Sequence, residues 1–381
     1  LGPVICIVGA RPNFMKMAPI LRAFADHVPA IPALLVHTGQ HYDKDMNDRL
    51  FEDLQLPRPD INLEVGSGSH AVQTAEVMRR FEPVIDTHRP SCVLVVGDVN
   101  STLACTLVSV KRGIPVVHVE AGLRSYDRAM PEEINRVLTD QIADLLYTTE
   151  RSAENNLIRE GIAPERIRFV GNVMIDSLLH NREFARTPTE TVAANGRDPE
   201  LLACDAGYGV VTLHRPSNVD DAETLTSLLG VLRELAHQLP LVFALHPRTR
   251  ANIERFGLGP LIDNPQLILL PPQGYLEMLG LMAGARIVLT DSGGLQEETT
   301  ALGIPCLTMR ENTERPITVE QGTNTMVGRD SKAIRQQADE ILAGRGKQGK
   351  LPELWDGHAA ERIATDLAAW LLDRHFVNAK A

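Results

Sequence analysis

Residues 4–24 read VICIVGARPNFMKMAPILRAF, an apolar run, a glycine and then a segment with apolar residues at spacings of three and four. This order is typical of a buried β-strand that turns at the glycine into an amphipathic helix. The order recurs along the chain, and nearly continuous apolar runs are typical of strands covered on both faces of a parallel sheet. We therefore predict an α/β protein with doubly wound sheets. The strand candidates are residues 4–8, 34–37, 92–96, 115–119, 145–148, 167–170, 210–213, 242–245, 267–270, 287–290 and 305–308.

The length of 381 residues favours two domains over one, since a domain usually contains about 100–200 residues. The boundary is expected in a polar stretch that contains Pro188 and Pro199 and lacks a strong hydrophobic period. We predict a first domain over residues 1–175, a linker over 176–204, a second domain over 205–357 and a final helix in the segment 358–381.

The composition excludes several classes of function. Hydrophobic residues make up 44% of the chain and charged residues 23%, which are ordinary globular values. The formal net charge of −11 argues against binding to nucleic acid or to an anionic membrane surface. The five cysteines include no CxxC pair, and no apolar run reaches the roughly 18–20 residues that span a bilayer. We expect a soluble cytoplasmic protein with reduced thiols.

The loop after the first strand candidate is a potential anion site. Residues 9–16 contain Arg11 and Lys16 behind a glycine, ahead of a helix expected to begin at Met17. Such a loop presents cations and a helix N-terminus to an anion. The GxGxxG fingerprint of dinucleotide-binding proteins is absent. The alternative is an ordinary strand-to-helix turn with a solvated lysine.

Three carboxylates occupy strand ends or a helix start in the first domain. Asp98 and Glu120 each follow an apolar strand candidate, and Glu132 follows Pro131 at the start of a helix. Carboxylates at such positions suit proton transfer, and no cluster of metal-ligand spacing accompanies them, so no metal is expected.

Each of these segments also has a purely structural interpretation. Asp98 can bond the turn before a helix, and Glu120 can pair with Arg124. Glu132 and Arg136 can form a surface pair at i, i+4. His118 is typical of a buried histidine whose ring nitrogens are satisfied. The helix that follows residue 131 is predicted to bury its apolar positions Ile134, Val137 and Leu138.

The second domain offers a stronger anion signal. Residues 290–298 read TDSGGLQEE, a strand end, two glycines and the start of a helix, which together form a backbone cradle for phosphate. Ser292 offers a hydroxyl to a phosphate, and Glu298 can accept hydrogen bonds from the vicinal hydroxyls of a ribose. A glycine-rich connector with a serine N-cap is the alternative. Arg310 and Arg315 follow the next strand and are candidates for two-pronged phosphate contacts.

Taken in order, these motifs resemble those of the non-hydrolysing UDP-N-acetylglucosamine 2-epimerases. The residues that carry the resemblance are Gly9-Ala10-Arg11-Pro12 with Lys16, Thr38-Gly39-Gln40-His41, Gly97-Asp98, His118-Val119-Glu120-Ala121-Gly122-Leu123-Arg124, Pro131-Glu132-Glu133 with Asn135-Arg136, His214-Arg215, Asp291-Ser292-Gly293-Gly294 with Gln296-Glu297-Glu298, and Thr313-Glu314-Arg315-Pro316.

The resemblance implies two Rossmann-like domains that face a cleft, as in the glycosyltransferase-B and glycogen phosphorylase-like folds, with the C-terminal helix packed back on the first domain. It implies reversible C2 epimerisation of UDP-GlcNAc to UDP-ManNAc, by elimination of UDP to a 2-acetamidoglucal and re-addition. The product would supply ManNAc for surface polysaccharide synthesis. The resemblance implies a UDP-sugar as the ligand, a homodimer and no cofactor.

The resemblance also assigns residues. Asp98, Glu120 and Glu132 match the catalytic carboxylates of the family, and His214 matches a histidine placed near the diphosphate. UDP or substrate contacts are expected from Arg11, Lys16, Arg136, Gln273, Ser292, Gly293, Gly294, Glu298, Arg310 and Arg315.

Two departures from the family pattern leave alternatives open. Pro216 follows His214-Arg215, where many bacterial members carry a further charged residue, and residues 64–71 lack an arginine that substrate-activated members use. The alternatives are an epimerase or hydrolysing epimerase for a related UDP-2-acetamido sugar, such as a 2,3-diacetamido uronic acid, and a glycosyltransferase of the same fold.

Overall fold

The structure, a computed structural model, describes residues 2–39, 51 and 53–378, so Gln40 and His41 of the family motif lie outside the described residues. The chain divides into two compact units, one formed by Leu1–His180 with Glu353–Ala381 and the other by Asn181–Pro352. Each unit is built around one parallel β-sheet.

The sheet of the first unit has the strand order β3-β2-β1-β4-β5-β6-β7, with parallel pairs throughout. The order changes direction between β1 and β4, and this switch point is where doubly wound sheets bind ligands. The strands are β1 Val4–Val8, β2 Ala33–His37, β3 Ile61–Asn62, β4 Cys92–Val96, β5 Val116–Ala121, β6 Leu145–Thr148 and β7 Ile167–Phe169.

Helices connect these strands and cover the sheet. They are α1 Arg11–Asp26, α2 His70–His88, α3 Asn100–Lys111, α4 Pro131–Ile142, α5 Arg151–Arg159 and α6 Val173–Asn181. The C-terminal helix, Ala359–Asn378, belongs to the first unit, and Asp176 of α6 accepts hydrogen bonds from the N–H groups of Ala359 and Ala360 at 3.2 and 2.7 Å. Just ahead of this helix, the buried indole of Trp355 donates to Thr149 O over 3.1 Å.

The second unit repeats the plan with the strand order β10-β9-β8-β11-β12-β13. Its strands are β8 Gly209–Thr212, β9 Leu241–Ala244, β10 Leu267–Leu270, β11 Ile287–Thr290, β12 Cys306–Thr308 and β13 Asn324–Met326. Its helices are α7 Pro188–Ala194, α8 Pro216–Val219, α9 Ala222–Leu235, α10 Pro247–Arg255, α11 Gly259–Ile262, α12 Tyr275–Ala283, α13 Gly293–Leu302, α14 Pro316–Glu320 and α15 Ser331–Leu342.

Both faces of this second sheet are apolar, as the continuous hydrophobic runs predict. Ile287 and Leu289 of β11 pack in one core cluster, whereas Val288 between them packs in another. Alternate side chains of a strand point to opposite faces, so helices must cover both sides. The prediction of two Rossmann-like, doubly wound sheets is therefore confirmed.

Three local expectations differ from the structure. The helix α1 begins at Arg11 rather than Met17, because Pro12 is compatible with a first helical turn. Within the segment 176–204, helix α7 forms behind Thr187, whose hydroxyl accepts from Glu190 N while the Glu190 carboxylate accepts from Thr187 N. Helix α4 buries its polar side, and Ile134 and Leu138 are 45% and 46% exposed.

Candidate active site

One asparagine ties together the loops after β1 and β4, the two strands at the switch point of the first sheet. Asn13 Oδ1 accepts from the N–H groups of Gly9 and Ala10 at 3.1 and 3.0 Å. Its Nδ2 donates to Val96 O, at the end of β4, over 3.0 Å. The Asn13 side chain therefore fixes the distance between the loop that leads into α1, where Arg11 lies, and the loop that carries Asp98.

A buried ion pair lies beside the Asp98 loop. Lys16 Nζ is 2.5 Å from Glu120 Oε2, and the two side chains are only 7% and 2% exposed. A Cβ atom at Gly97 would lie 3.1 Å from the same Nζ, so the ammonium packs against the residue that precedes Asp98. Lys16, expected to contact the substrate, is thus placed directly on a candidate catalytic carboxylate.

Glu120 projects from an irregularity in β5. The register of β5 against β6 shifts between Val119 and Ala121, which pair with Tyr147 and Thr148. Glu120 is the extra residue of this bulge and has a φ of 70°. The left-handed region costs a residue other than glycine about 1–2 kcal/mol, and bulges beside active sites re-aim side chains. Strained backbone at this point supports a functional role for the carboxylate.

A buried arginine holds the Asp98 carboxylate. Its Oδ2 accepts from Arg136 Nη1 at 2.8 Å, and Arg136 Nη2 donates to Glu133 Oε2 at 2.9 Å. Burial raises the pKa of Glu133, but hydrogen bonds from Ser125 and Tyr126 and the charge of Arg136 outweigh it and lower that pKa overall. Arg136 is 2% exposed and forms ion pairs with Asp98 and Glu133. It therefore positions Asp98, and its partner on its own helix is Glu133 instead of Glu132.

A cavity brings two of the three carboxylates together. It has a volume of about 320 Å³, and Asp98 and Glu132 both line it. Ser67, His70 and Gln73 also line it, and no sequence signal pointed to them, because the loop at residues 67–70 and helix α2 meet the cavity only through the fold. Asn100 and Asn135 complete its polar walls.

The buried histidine of the first unit is satisfied at both ring nitrogens. His118 Nδ1 lies 2.6 Å from Asp140 Oδ1, and Nε2 lies 2.8 Å from Gly97 O. Arg124 pairs with Asp140 and Glu160. The structural interpretation of His118 is therefore confirmed. The alternative interpretation of Glu120, a pair with Arg124, gives way to the pair of Glu120 with Lys16.

In the second unit, a buried aspartate orients His214. Asp291 Oδ1 lies 2.9 Å from His214 Nδ1, and its oxygens also accept from the backbone N–H groups of His214 and Arg215. Burial raises the pKa of Asp291, but the bonds and charge of His214 and the backbone bonds outweigh it and hold that pKa below its usual value. Nδ1 of His214 donates to the ionised Asp291 carboxylate. Nε2 therefore lies on the side of the ring that faces away from Asp291, and the side chain is 36% exposed.

The helix α13 begins with the two glycines of the sequence motif. A Cβ at Gly293 would overlap Glu314 Oε1, whereas a Cβ at Gly294 would meet no described atom within 4 Å. Ser292, the N-cap, is partly exposed, and Glu298 is buried one turn into the helix. An accessible helix N-terminus of this kind suits an anion.

The two candidate phosphate-binding arginines are buried and paired. Arg310 Nη2 donates to Glu314 Oε2 at 2.9 Å, and Arg315 Nε lies 3.0 Å from Glu297 Oε1. Burial raises the pKa of Glu314, but Arg315 and Arg310 bring it down to about 2. Each arginine is therefore already paired with a carboxylate near the start of α13, which offsets part of its positive charge.

The residues that the sequence predicts for the site form one group in the first unit and one group in the second. Lys16, Asp98, Glu120, Glu132 and Arg136 gather at the switch point of the first sheet, and Arg11 is partly exposed in the first turn of α1. His214, Ser292, Gly293, Gly294, Glu298, Arg310 and Arg315 gather around the start of α13. Gln273 stands apart, bonded to Asn195 and to Pro271 O.

Among the residues that the structure describes, no three or more His, Cys, Asp and Glu side chains are grouped so as to hold a metal ion. None of the helices in that part of the chain combines the length and apolar character needed to cross a membrane.

Comparison with known proteins gives concordant matches. A family model described as UDP-N-acetylglucosamine 2-epimerase matches residues 25–368. The chain is 42% identical over 360 residues to the UDP-N-acetylglucosamine 2-epimerase of Methanocaldococcus jannaschii, covering 94% of this chain and 96% of that protein. It is 40% identical over 368 residues to the UDP-2,3-diacetamido-2,3-dideoxy-D-glucuronate 2-epimerase of Pseudomonas aeruginosa, covering 96% and 99%.

A solved structure is also similar over the whole chain. It is the crystal structure of the Methanocaldococcus jannaschii UDP-GlcNAc 2-epimerase in complex with UDP-GlcNAc and UDP, with a TM-score of 0.84 and 40% identity. The match covers 96% of this chain and 99% of that one.

Proposed function

Because the chain belongs to the UDP-N-acetylglucosamine 2-epimerase family, we propose that it interconverts UDP-GlcNAc and UDP-ManNAc. The observation that carries the proposal is the Lys16–Glu120 ion pair beside the Asp98 loop, 2.5 Å between Nζ and Oε2 and almost completely buried. Such a pair positions a carboxylate in a site that excludes water, and a positioned carboxylate suits the removal of a carbon-bound proton.

The reaction proceeds by elimination and re-addition. The C2 hydrogen beside an acetamido group is not acidic, so simple proton exchange at C2 is unfavourable. Instead, the C1–O bond breaks and its electron pair leaves with UDP. A protein base takes the C2 proton, and the C1=C2 double bond of 2-acetamidoglucal forms. Re-addition of UDP at C1, with a proton delivered to the other face of C2, gives the epimer.

Asp98, Glu120 and Glu132 are proposed to exchange the proton. Asp98 and Glu132 line one cavity, and Arg136 orients Asp98 through its Oδ2. Inversion at C2 requires proton transfer on two faces of the sugar ring, so more than one carboxylate has a use. Substrate and product are isomers, and the chemistry itself demands no oxidant or reductant.

The second unit is proposed to stabilise the departing UDP. Donors aimed at developing negative charge are the main source of stabilisation for such a step. The first turn of α13, at Gly293 and Gly294, presents backbone N–H groups, and Ser292 adds its hydroxyl. Asp291 fixes Nδ1 of His214 so that Nε2 can face the diphosphate. Glu298 is proposed to accept from the ribose hydroxyls, with Arg310 and Arg315 adding positive charge.

The relative that acts on a diacetamido-glucuronate gives a second candidate, since its 40% identity is close to the 42% of the UDP-GlcNAc epimerase. We propose UDP-GlcNAc as the substrate and the uronate as the alternative. A cytoplasmic location, a homodimer and a supply of ManNAc for surface polysaccharide complete the proposal, on the family resemblance alone.

The purified protein should be incubated separately with UDP-GlcNAc and with the UDP-diacetamido-glucuronate, and the products separated and identified by NMR. We expect UDP-GlcNAc to reach equilibrium with a second UDP-sugar, UDP-ManNAc. Turnover of the uronate alone, release of UDP with free sugar, or no reaction without an acceptor would contradict the proposal.

A matched pair of variants tests the assignment of the base. Glu120→Gln should lower turnover by about 10²–10⁴-fold, the usual contribution of general acid–base catalysis, while UDP still binds. Glu82→Gln makes the same chemical change at an exposed position on α2 and should leave turnover unchanged.

A further inference from the structure

A buried aspartate outside the proposed catalytic set contacts both the loop that carries Asp98, through His118, and the β5 bulge that carries Glu120, through Gly122. Asp140 lies on α4 and is 0% exposed. Its Oδ1 accepts from His118 Nδ1 at 2.6 Å. Its Oδ2 accepts from Gly122 N at 3.0 Å and lies 2.7 Å from Arg124 Nη2.

The first connection runs through His118 to the residue before Asp98. His118 Nε2 lies 2.8 Å from Gly97 O, and a carbonyl oxygen only accepts, so Nε2 donates. Burial raises the pKa of Asp140, but His118 and Arg124 outweigh it and hold that pKa below its usual value, so the carboxylate is ionised. His118 is thus fixed at both ring nitrogens. It pins the Gly97 peptide, whose φ of 67° sets the direction in which Asp98 leaves β4.

The second connection runs to the bulge that carries Glu120. Gly122 has a φ of 81°, and its N–H points to Asp140. Glu120, two residues earlier, has its own left-handed backbone and is the extra residue of the bulge. A strained bulge persists only where its surroundings hold it, and the Gly122–Asp140 bond is such a restraint.

The charge of Asp140 has a buried partner. Arg124 pairs with Asp140 and also, at 2.6 Å, with Glu160. Neutralising Asp140 would take one of these two carboxylate partners from a guanidinium that is 1% exposed, so the charge of Asp140 matters as well as its shape.

We propose that Asp140 is a positioning residue, which sets Asp98 through His118 and Glu120 through Gly122. This role rests on the proposed function, in which those two carboxylates exchange the C2 proton. Asp140 touches neither substrate nor UDP in this account. Its removal should therefore act on the chemical step and leave binding intact.

The test compares Asp140→Asn with Asp144→Asn. Asp144 lies four residues further along, and its Oδ2 accepts from Val116 N at 2.9 Å, at the start of β5 instead of its catalytic end. Both variants lose a buried or half-buried carboxylate that anchors β5, so they match in kind. Turnover of UDP-GlcNAc, KM, and the affinity for UDP by calorimetry should be measured for wild type and both variants, at a temperature where circular dichroism shows each folded.

We expect Asp140→Asn to lower kcat by about 100-fold, the effect of misplacing reacting groups by about 1 Å, with KM and UDP affinity within about twofold of wild type. Asp144→Asn should keep the wild-type kcat. If Asp140→Asn does not fold, His118→Asn removes the ring that joins Asp140 to Gly97 and leaves the Gly122–Asp140 bond in place, and a fall in kcat with unchanged UDP affinity is expected.

The outcomes separate the two proposals. An active wild type with an unimpaired Asp140→Asn, or with an unimpaired His118→Asn where that variant is used, would overturn the positioning role alone. Equal losses in Asp140→Asn and Asp144→Asn would overturn it too, because they would reflect general destabilisation. A wild type that turns over no UDP-GlcNAc would refute the proposed function and the role of Asp140 with it.

Discussion

Replacing Lys16 by methionine removes one partner of the Lys16–Glu120 ion pair and keeps the length of the side chain. The two charges are 2.5 Å apart and at most 7% exposed. At an effective dielectric constant of about 20, their attraction is about 7 kcal/mol before the cost of removing both from water. Breaking a buried pair by deleting one partner usually costs about 3–5 kcal/mol, because a buried charge is left uncompensated.

The full cycle contains Lys16→Met, Glu120→Gln and the double variant. Each single change should lower the free energy of unfolding by about 3–5 kcal/mol. The double variant removes both charges and should lie closer to wild type than either single variant does. Lys111→Met, at an exposed lysine on α3, serves as the control and should change stability by less than about 1 kcal/mol.

Urea unfolding followed by tryptophan fluorescence measures this cycle directly. The chain contains 2 tryptophans, and Trp355 and Trp370 both lie in the first unit, where the ion pair is. The reasoning would be refuted if Lys16→Met unfolded at the wild-type urea midpoint. It would also be refuted if the effects of the two single changes simply added in the double variant.

Three further predictions follow from the backbone and from Asp176. Gly122→Ala places a Cβ 2.5 Å from Ala153 O, whereas a Cβ at Gly113, which has a similar φ, meets no described atom within 4 Å. In urea unfolding, Gly122→Ala should therefore lower the free energy of unfolding by at least about 1 kcal/mol more than Gly113→Ala does. Gly294→Ala should fold like wild type but bind UDP at least about tenfold more weakly by calorimetry, because its Cβ occupies only the proposed phosphate space; unchanged affinity would place the diphosphate elsewhere. Burial raises the pKa of Asp176 to about 6 from 3.8, so the folded state binds the extra proton, and the stability of wild type relative to Asp176→Asn should fall by about 2 kcal/mol as pH rises from 4 to 7; a rise over that range in urea titrations would contradict this.

Much of the fold follows from apolar runs alone. The strands β1, β4, β6, β10 and β11 begin and end where the hydrophobic pattern predicts, because buried parallel strands must be apolar on both faces. The edge strands β3, Ile61–Asn62, and β13, Asn324–Met326, escaped prediction. Both are short and contain polar residues, so their strand character depends on a neighbour and not on their own sequence.

Helix α4 shows why part of the site could not be predicted. Its apolar residues Ile134 and Leu138 are exposed, whereas Arg136 and Asp140 are buried. Amphipathic spacing assumes that burial is driven by apolar area, but here the buried face is filled by charges that neutralise one another and orient Asp98 and His118. The reversal itself is a signal of function, since buried polar networks are retained where they position reacting groups.

The positions of the strand-end carboxylates, by contrast, could be predicted, because loops after parallel strands meet at one edge of a sheet. The sequence did not reveal that Lys16 would pair with Glu120, since the partners are distant in the chain and join only through the β1 and β5 order in the sheet. Thr187 followed three residues later by Glu190 is the pattern of a capping box, so the start of α7 could have been predicted within the segment interpreted as a linker.

In the proposed reaction, the C2–H bond of UDP-GlcNAc is broken and re-formed on the protein, and incubation in D₂O follows that bond itself. With UDP-GlcNAc as the only added substrate, mass and proton spectra should show one solvent deuterium at C2 of the UDP-ManNAc formed. Formation of unlabelled UDP-ManNAc, at any extent of conversion, would contradict proton transfer through the carboxylates of the first unit.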